Sequence, residues 1–109
     1  MPAMSTADDA MGPPDPVHPA LEEPAFEAKV LRAFFRDGRL VSIPSKERRR
    51  QVVYRYLRDH VFTEDRAYPE KEVNQRLALF HPDVATLRRG MVDARLVSRA
   101  NGEYRRGPA

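Results

Sequence analysis

A chain of 109 residues with 41% apolar and 32% charged side chains has the length of one domain and enough apolar content for one small core. It has no cysteine, which excludes disulfides, cysteine-ligated zinc and thiol nucleophiles, and no apolar run approaches the ~20 residues that a membrane helix needs. The net charge of +3 is unevenly divided: residues 1–24 hold Asp8, Asp9, Asp15, Glu22 and Glu23 with no lysine or arginine, a charge of −5, while the remainder holds 19 basic and 11 acidic residues, a charge of +8.

Six of the ten prolines stand at positions 2, 13, 14, 16, 19 and 24. Proline removes backbone donors, and few apolar groups are present to offset chain entropy. Residues 1–23 therefore read as a disordered, acidic, Pro-rich tail, and residues 24–107 as the folded domain. The tail is either an inert extension or a segment that lies transiently on the basic body and competes with a polyanion. It lacks the basic start and apolar centre of a signal peptide, so the chain is read as cytoplasmic, with no membrane contact.

The first predicted helix is "EPAFEAKVLRAFFRDG", with Pro24 at its first position and Gly38 as its C-terminal cap. At about 100° per residue, Phe26, Val30, Leu31, Phe34 and Phe35 cover about half of the circumference. That arc serves a core, and its width also leaves room for a homodimer contact through the same five residues. "GRLVSIP" follows as a short extended segment ended by Pro44, with Ser45 as the N-cap of the next helix. This second helix runs over about Lys46 to Val61. Val53, Tyr56, Leu57, His60 and Val61 form its core face at i, i+3, i+4, i+7 and i+8, and His60 is expected there as a partly buried, hydrogen-bonded histidine. His18 and His81 are the other two histidines; nothing in their placement suggests a metal site or a catalytic triad.

A third helix, about Pro69 to Phe80, repeats Val73, Leu77 and Phe80. "HPD" breaks it, and Asp83 caps a fourth helix, about Val84 to Ala94, whose core face is Val84, Leu87 and Met91. Two extended runs then flank Asn101-Gly102, the strongest short signal for a β-hairpin. The order helix, strand, helix, helix, helix, hairpin gives the fold class: mainly α with a small β-hairpin, a winged helix-turn-helix-like single domain. The core is expected to hold Phe34, Val53, Leu57, Leu77, Leu87 and Met91.

The segments "RLVSIPSKERRRQVVYRYL", "YPEKEVNQRL", "FHPDVATLRRGMVDARLVSR" and "GEYRR" together resemble a small bacterial family known as a domain of unknown function. Its Tyr-x-x-x-Glu-Val-Asn helix start corresponds to Tyr68, Glu72, Val73 and Asn74. Its Asp-x-x-x-Leu-Arg-Arg helix corresponds to Asp83, Leu87, Arg88 and Arg89. The likeness covers about Leu31 to Arg106. It implies a bacterial origin and a transcription-related context, because such domains occur alone or C-terminal to ArsR-type winged-helix regulators. It implies no catalytic activity, ligand or cofactor. No regulator segment of that kind is read in this chain, so DNA binding by a fused partner does not carry over.

Residues 36–58 hold Arg36, Arg39, Lys46, Arg48, Arg49, Arg50, Arg55 and Arg58 against Asp37 and Glu47, +6 in 23 residues. Lys46 and Arg48 to Arg50 stand at a helix N-terminus, where cations oppose the dipole and anions are favoured. A phosphate accounts for that placement, and so does simple solvation beside Glu47. If the hairpin is a wing, the fourth helix faces outward with Thr86, Arg89 and Asp93, with Arg88 at the edge of its core face. The candidate nucleic-acid-binding residues are thus Lys46, Arg48, Arg49, Arg50, Thr86, Arg88, Arg89, Arg99, Arg105 and Arg106. Asn74 is assigned to an inter-helix hydrogen bond, and Glu70 and Glu72 are first-turn partners of the helix dipole. The scattered acids offer no carboxylate pair for acid–base chemistry, and no glycine-rich phosphate loop is present, so the chain is not read as an enzyme and no cofactor is expected. Two functions fit: a DNA- or other nucleic-acid-binding, transcription-related winged helix, or a protein-interaction or dimerisation module of the same fold that binds no DNA.

Overall fold

The computed structural model describes residues 24–107; the tail assigned to residues 1–23 lies outside them. Helix α1, Pro24–Phe34, leads directly into a two-stranded hairpin, β1 Phe35–Arg36 and β2 Arg39–Leu40, with Phe35 opposite Leu40. Asp37 and Gly38 both take positive φ, 52° and 79°, as a two-residue turn that matches strand twist requires. This corrects the expected helix cap at Gly38. The Asp-Gly pair folds the chain back, and the turn is held because Leu40 N–H donates to the Phe80 carbonyl (2.9 Å) and Val41 N–H to that of Phe34 (2.7 Å).

Helix α2, Glu47–Val61, starts one residue later than predicted. Its N-cap is Lys46, which makes no side-chain capping bond, so Ser45 is not the cap. The loop before it is held instead by Arg50, whose guanidinium donates to the carbonyls of Ser45 and Pro44. The buried face comprises Val52, Val53, Tyr54, Leu57 and Val61, an arc turned toward Tyr54 and away from the predicted Tyr56 and His60 edge. His60 is exposed, a second correction. Its ring stacks on Tyr56 at 4.0 Å, and Nδ1 lies 2.8 Å from the Tyr56 carbonyl oxygen. Tyr54 is drawn in because Gly90 on the facing helix leaves bare backbone for its ring.

After α2, Phe62 and Tyr68 meet edge-on in the core at 5.0 Å. Tyr68–Pro69 is a two-residue strand, β3, and α3 follows as Glu70–Ala78 with Pro69 at its N-cap. Pro69 therefore precedes the third helix rather than opening it, and a proline without an N–H is tolerated on an edge strand. Helix α4 is Val84–Asp93, and β4, Val97–Ala100, and β5, Glu103–Arg106, complete an antiparallel sheet of order β3-β5-β4. The predicted Asn101-Gly102 turn is present, with φ of 55° and 76°. Gly102 carbonyl accepts from Glu70 N–H (3.1 Å), which ties the hairpin turn to the start of α3.

Val53, Leu57, Leu77, Leu87 and Met91 are fully buried, together with Val61, Val73, Phe62 and Tyr68, and Leu96, Val97 and Tyr104 are buried beside them. Phe34 is only partly buried against this core, as are Phe26, Leu31 and Phe35, while Val30 is buried. Most of the wide arc of α1 thus contributes to the chain's own core. The Asn74 Oδ1 is buried without a hydrogen-bond partner, so its expected inter-helix bond is not made among the described residues. No helix among them is long and apolar enough to cross a membrane, and no cluster of His, Asp or Glu among them is placed to hold a metal ion.

Candidate nucleic-acid interface

The ten candidate residues fall into three groups. At the first turns of α2, Lys46, Arg48 and Arg49 are exposed. Arg48 lays its guanidinium 4.1 Å from the centroid of the Phe26 ring on α1, a cation–π contact that leaves its charge intact. Lys46 and Arg49 have no ion pair within 4 Å among the described residues. Arg50 is directed back to the two loop carbonyls, which hold its position and do not neutralise it.

Helix α4 supplies the second group. Asp83 accepts from Thr86 N–H (3.2 Å) and from the Thr86 hydroxyl (2.7 Å), the N-terminal cap that the sequence predicts. These bonds hold the Asp83 carboxyl below its ordinary value, so the cap is ionised at neutral pH. They also fix the Thr86 hydroxyl. Arg89 is exposed at mid-helix. A groove of about 560 Å³ between α2 and α4 is lined by Glu47, Arg50, Gln51, Tyr54, Thr86, Arg89 and Asp93. Arg50, Thr86 and Arg89 are therefore brought together, and Glu47, Gln51, Tyr54 and Asp93 join them without having been foreseen as site residues. Burial pushes the Tyr54 phenol up from its ordinary value, with Arg50 opposing and Asp93 adding to the shift.

The third group is on the hairpin, and most of it is engaged. Glu70 at the start of α3 accepts from the Tyr104 hydroxyl (3.0 Å), pairs with Arg88 of α4 (3.3 Å) and lies 3.7 Å from Arg99. Arg88 is largely buried, and its Nε has no hydrogen-bond partner among the described residues. A second groove of about 360 Å³ gathers Glu70, Arg88, Arg89, Arg99 and Tyr104. Burial and then the bond to Glu70 raise the Tyr104 phenol above its ordinary value. Arg105 and Arg106 line neither groove. Arg106 donates to the Phe62 carbonyl (3.0 Å) and to Asp59 (3.1 Å). Arg105 approaches Asp65 at 3.9 Å.

Glu72, expected only as a dipole partner, is the centre of a further cluster. Arg66 donates to both of its carboxylate oxygens (3.1 and 2.7 Å) and Arg76 to one (3.0 Å). The Arg66 guanidinium also lies 3.7 Å from the Tyr68 ring centroid. These arginines hold the Glu72 carboxyl below its ordinary value. Nothing in the local spacing signals Arg66, whose partners are set by the fold of the 62–68 loop over α3.

The fold and these grooves define a small α-rich domain with antiparallel hairpins and a basic face on α2 and α4. The chain belongs to a bacterial family described as uncharacterized protein conserved in bacteria (DUF2087), which matches residues 39–106. No curated protein and no solved structure matches it.

Proposed function

We propose that the domain is a winged helix that binds nucleic-acid phosphates in a transcription-related role, as a binding protein and not an enzyme. The order α2-β3-α3-α4-β4-β5, with β3 joined to β5, supports the winged-helix reading: α3 and α4 form the helix-turn-helix, α4 is the recognition helix and the β4–β5 hairpin is the wing. The transcription-related context that the family resemblance implies, with such domains expected beside ArsR-type regulators, agrees with that role. One observation carries the nucleic-acid reading. Arg89 lines the α2–α4 groove and Lys46 and Arg49 are exposed at the start of α2, all three without an ion pair within 4 Å among the described residues, while Arg88, Arg99, Arg105 and Arg106 have acidic partners. Exposed cations outside ion pairs suit a sugar-phosphate backbone, and phosphate contacts give affinity without sequence information.

The test is duplex affinity as a function of salt. Replacing Lys46, Arg49 and Arg89 by Gln should weaken all sequences about equally and flatten the slope of log affinity against log salt by roughly 0.9 per lost contact. Replacing Arg105 and Arg106 should change the slope less. A parent protein with no salt-sensitive binding to duplex or single strand at low ionic strength would exclude this reading.

A second reading, an interaction or dimerisation module, draws on Val41 and Leu79, which are 58% and 68% exposed. They stand where β2 is bonded to the end of α3, Arg39 donating to the Leu79 carbonyl (2.8 Å). Light scattering that shows a stable dimer, lost on Val41→Ser with Leu79→Ser and indifferent to DNA, would favour it.

A further inference from the structure

We propose that the acidic segment of residues 1–23 docks on the basic surface made by the first two turns of α2, and so acts as an intramolecular competitor for the polyanion site. The docking itself stands on charge and geometry; only the competition rests on the nucleic-acid reading. The segment carries Asp8, Asp9, Asp15, Glu22 and Glu23 and no basic residue. It joins the fold at Pro24, the first residue of α1.

The start of α1 is held beside the start of α2. Phe26, two residues into α1, lies under the Arg48 guanidinium, and Glu27 pairs with Arg55 at 3.4 Å. The segment therefore joins the fold beside the first turns of α2, which also carry Lys46 and Arg49, exposed and without a carboxylate within 4 Å among the described residues. Free N–H groups and the positive end of the α2 dipole lie at the same place, and Lys46 supplies no side-chain cap to them. A chain of this length spans up to about 3.3–3.6 Å per residue, so even the acids farthest from Pro24 can reach the turn. No other stretch of the chain this long lacks lysine and arginine.

The experiment uses the full chain. With no native cysteine, Thr6→Cys gives a unique nitroxide site within the acidic segment. Paramagnetic broadening is read at the amides of residues 46–50 and, as reference, at Asn101 and Gly102. The comparison protein carries Asp8→Asn, Asp9→Asn, Asp15→Asn, Glu22→Gln and Glu23→Gln, so tethering is identical and only charge differs. Charge-dependent docking predicts broadening at 46–50 that fades near 1 M salt, where the screening length is about 3 Å, and is largely lost in the neutralised segment. Equal broadening in both proteins, or broadening indifferent to salt, overturns the proposal.

A second arm measures duplex affinity. A segment docked about nine-tenths of the time lowers apparent affinity about tenfold, so the neutralised protein should bind about tenfold tighter at low salt. Unchanged affinity overturns the competition. If neither protein binds duplex, the nucleic-acid reading fails, and the broadening still decides the docking.

Discussion

The Tyr54 ring lies against the backbone of α4 at Gly90, where a Cβ would overlap the phenol oxygen and the adjoining ring carbons. Two effects oppose each other at this glycine. Alanine in a helix interior is favoured over glycine by roughly 1 kcal/mol, whereas overpacking against a buried ring costs about 1–3 kcal/mol. The ring belongs to the core, so the steric effect wins. Gly90→Ala should destabilise the protein in urea melts and displace Tyr54 toward the α2–α4 groove. In a Tyr54→Ala background the same substitution should become neutral or stabilising by up to about 1 kcal/mol. A destabilisation of equal size in both backgrounds would show that Tyr54 is not the obstacle.

Leu57 and Leu87 are 0% exposed and face each other's helices across one core. Truncating either to Ala should cost roughly 2–5 kcal/mol. Phe34, expected in the same core, is only partly buried, and Phe34→Ala should cost less than either leucine. Denaturant melts rank the three. A Phe34→Ala loss equal to that of Leu57→Ala would place the centre of the core nearer α1 than the packing indicates.

Acid sensitivity follows from Asp83 and Glu72. Both carboxyls are held below their ordinary values of 3.8 and 4.5, the first by Thr86 and the second by Arg66 and Arg76. A depressed folded value means that the folded state favours the ionised form. The stabilisation is complete above the unfolded value and is lost as pH falls through the folded one. Stability should therefore be insensitive to these two groups at neutral pH and fall below about pH 4.5. Asp83→Asn and Glu72→Gln should each lower stability at pH 7 and flatten the acid limb of a pH series of urea melts. An acid limb as steep as the parent's in both variants would assign it to other groups.

These partners explain what was legible in the sequence. The periods of Val53, Leu57 and Val61, of Val73 and Leu77, and of Leu87 and Met91 place the helices because each face repeats locally. Asn101-Gly102 places the last hairpin for the same reason. Asp37-Gly38 carries a turn signal and a helix-stop signal at once, and the pairing of Leu40 with Phe80, forty residues away, decides between them. Tyr68–Pro69 is too short to show a period and is a strand only because Tyr104 stands opposite it. The +6 of residues 36–58 is legible as a sum, but which cations remain unpaired is a tertiary property. Arg106 meets Asp59 across 47 positions, and Arg88 meets Tyr104 across 16.

Glu70 is the acid set among the arginines beside the β4–β5 hairpin, and under the proposed phosphate binding its replacement gives a prediction of opposite sign to the arginine variants. It accepts from Tyr104, pairs with Arg88 and lies near Arg99 within the groove that also contains Arg89. Glu70→Gln keeps an acceptor for the Tyr104 hydroxyl and removes one negative charge from among three arginines. Thermal stability should fall by only ~0–1 kcal/mol, because the pairs are partly solvated. Duplex affinity at low salt should rise, and the slope of log affinity against log salt should steepen by up to about 0.9, the value for one added phosphate contact. Arg88→Gln should do the reverse, weakening binding and also loosening the β4–β5 hairpin, because it removes the tie between α4 and Glu70. If Glu70→Gln weakens duplex binding while the melt stays near the parent's, Arg88 and Arg99 act by bracing the hairpin against α3 and α4. The phosphate surface would then be confined to Lys46, Arg49 and Arg89.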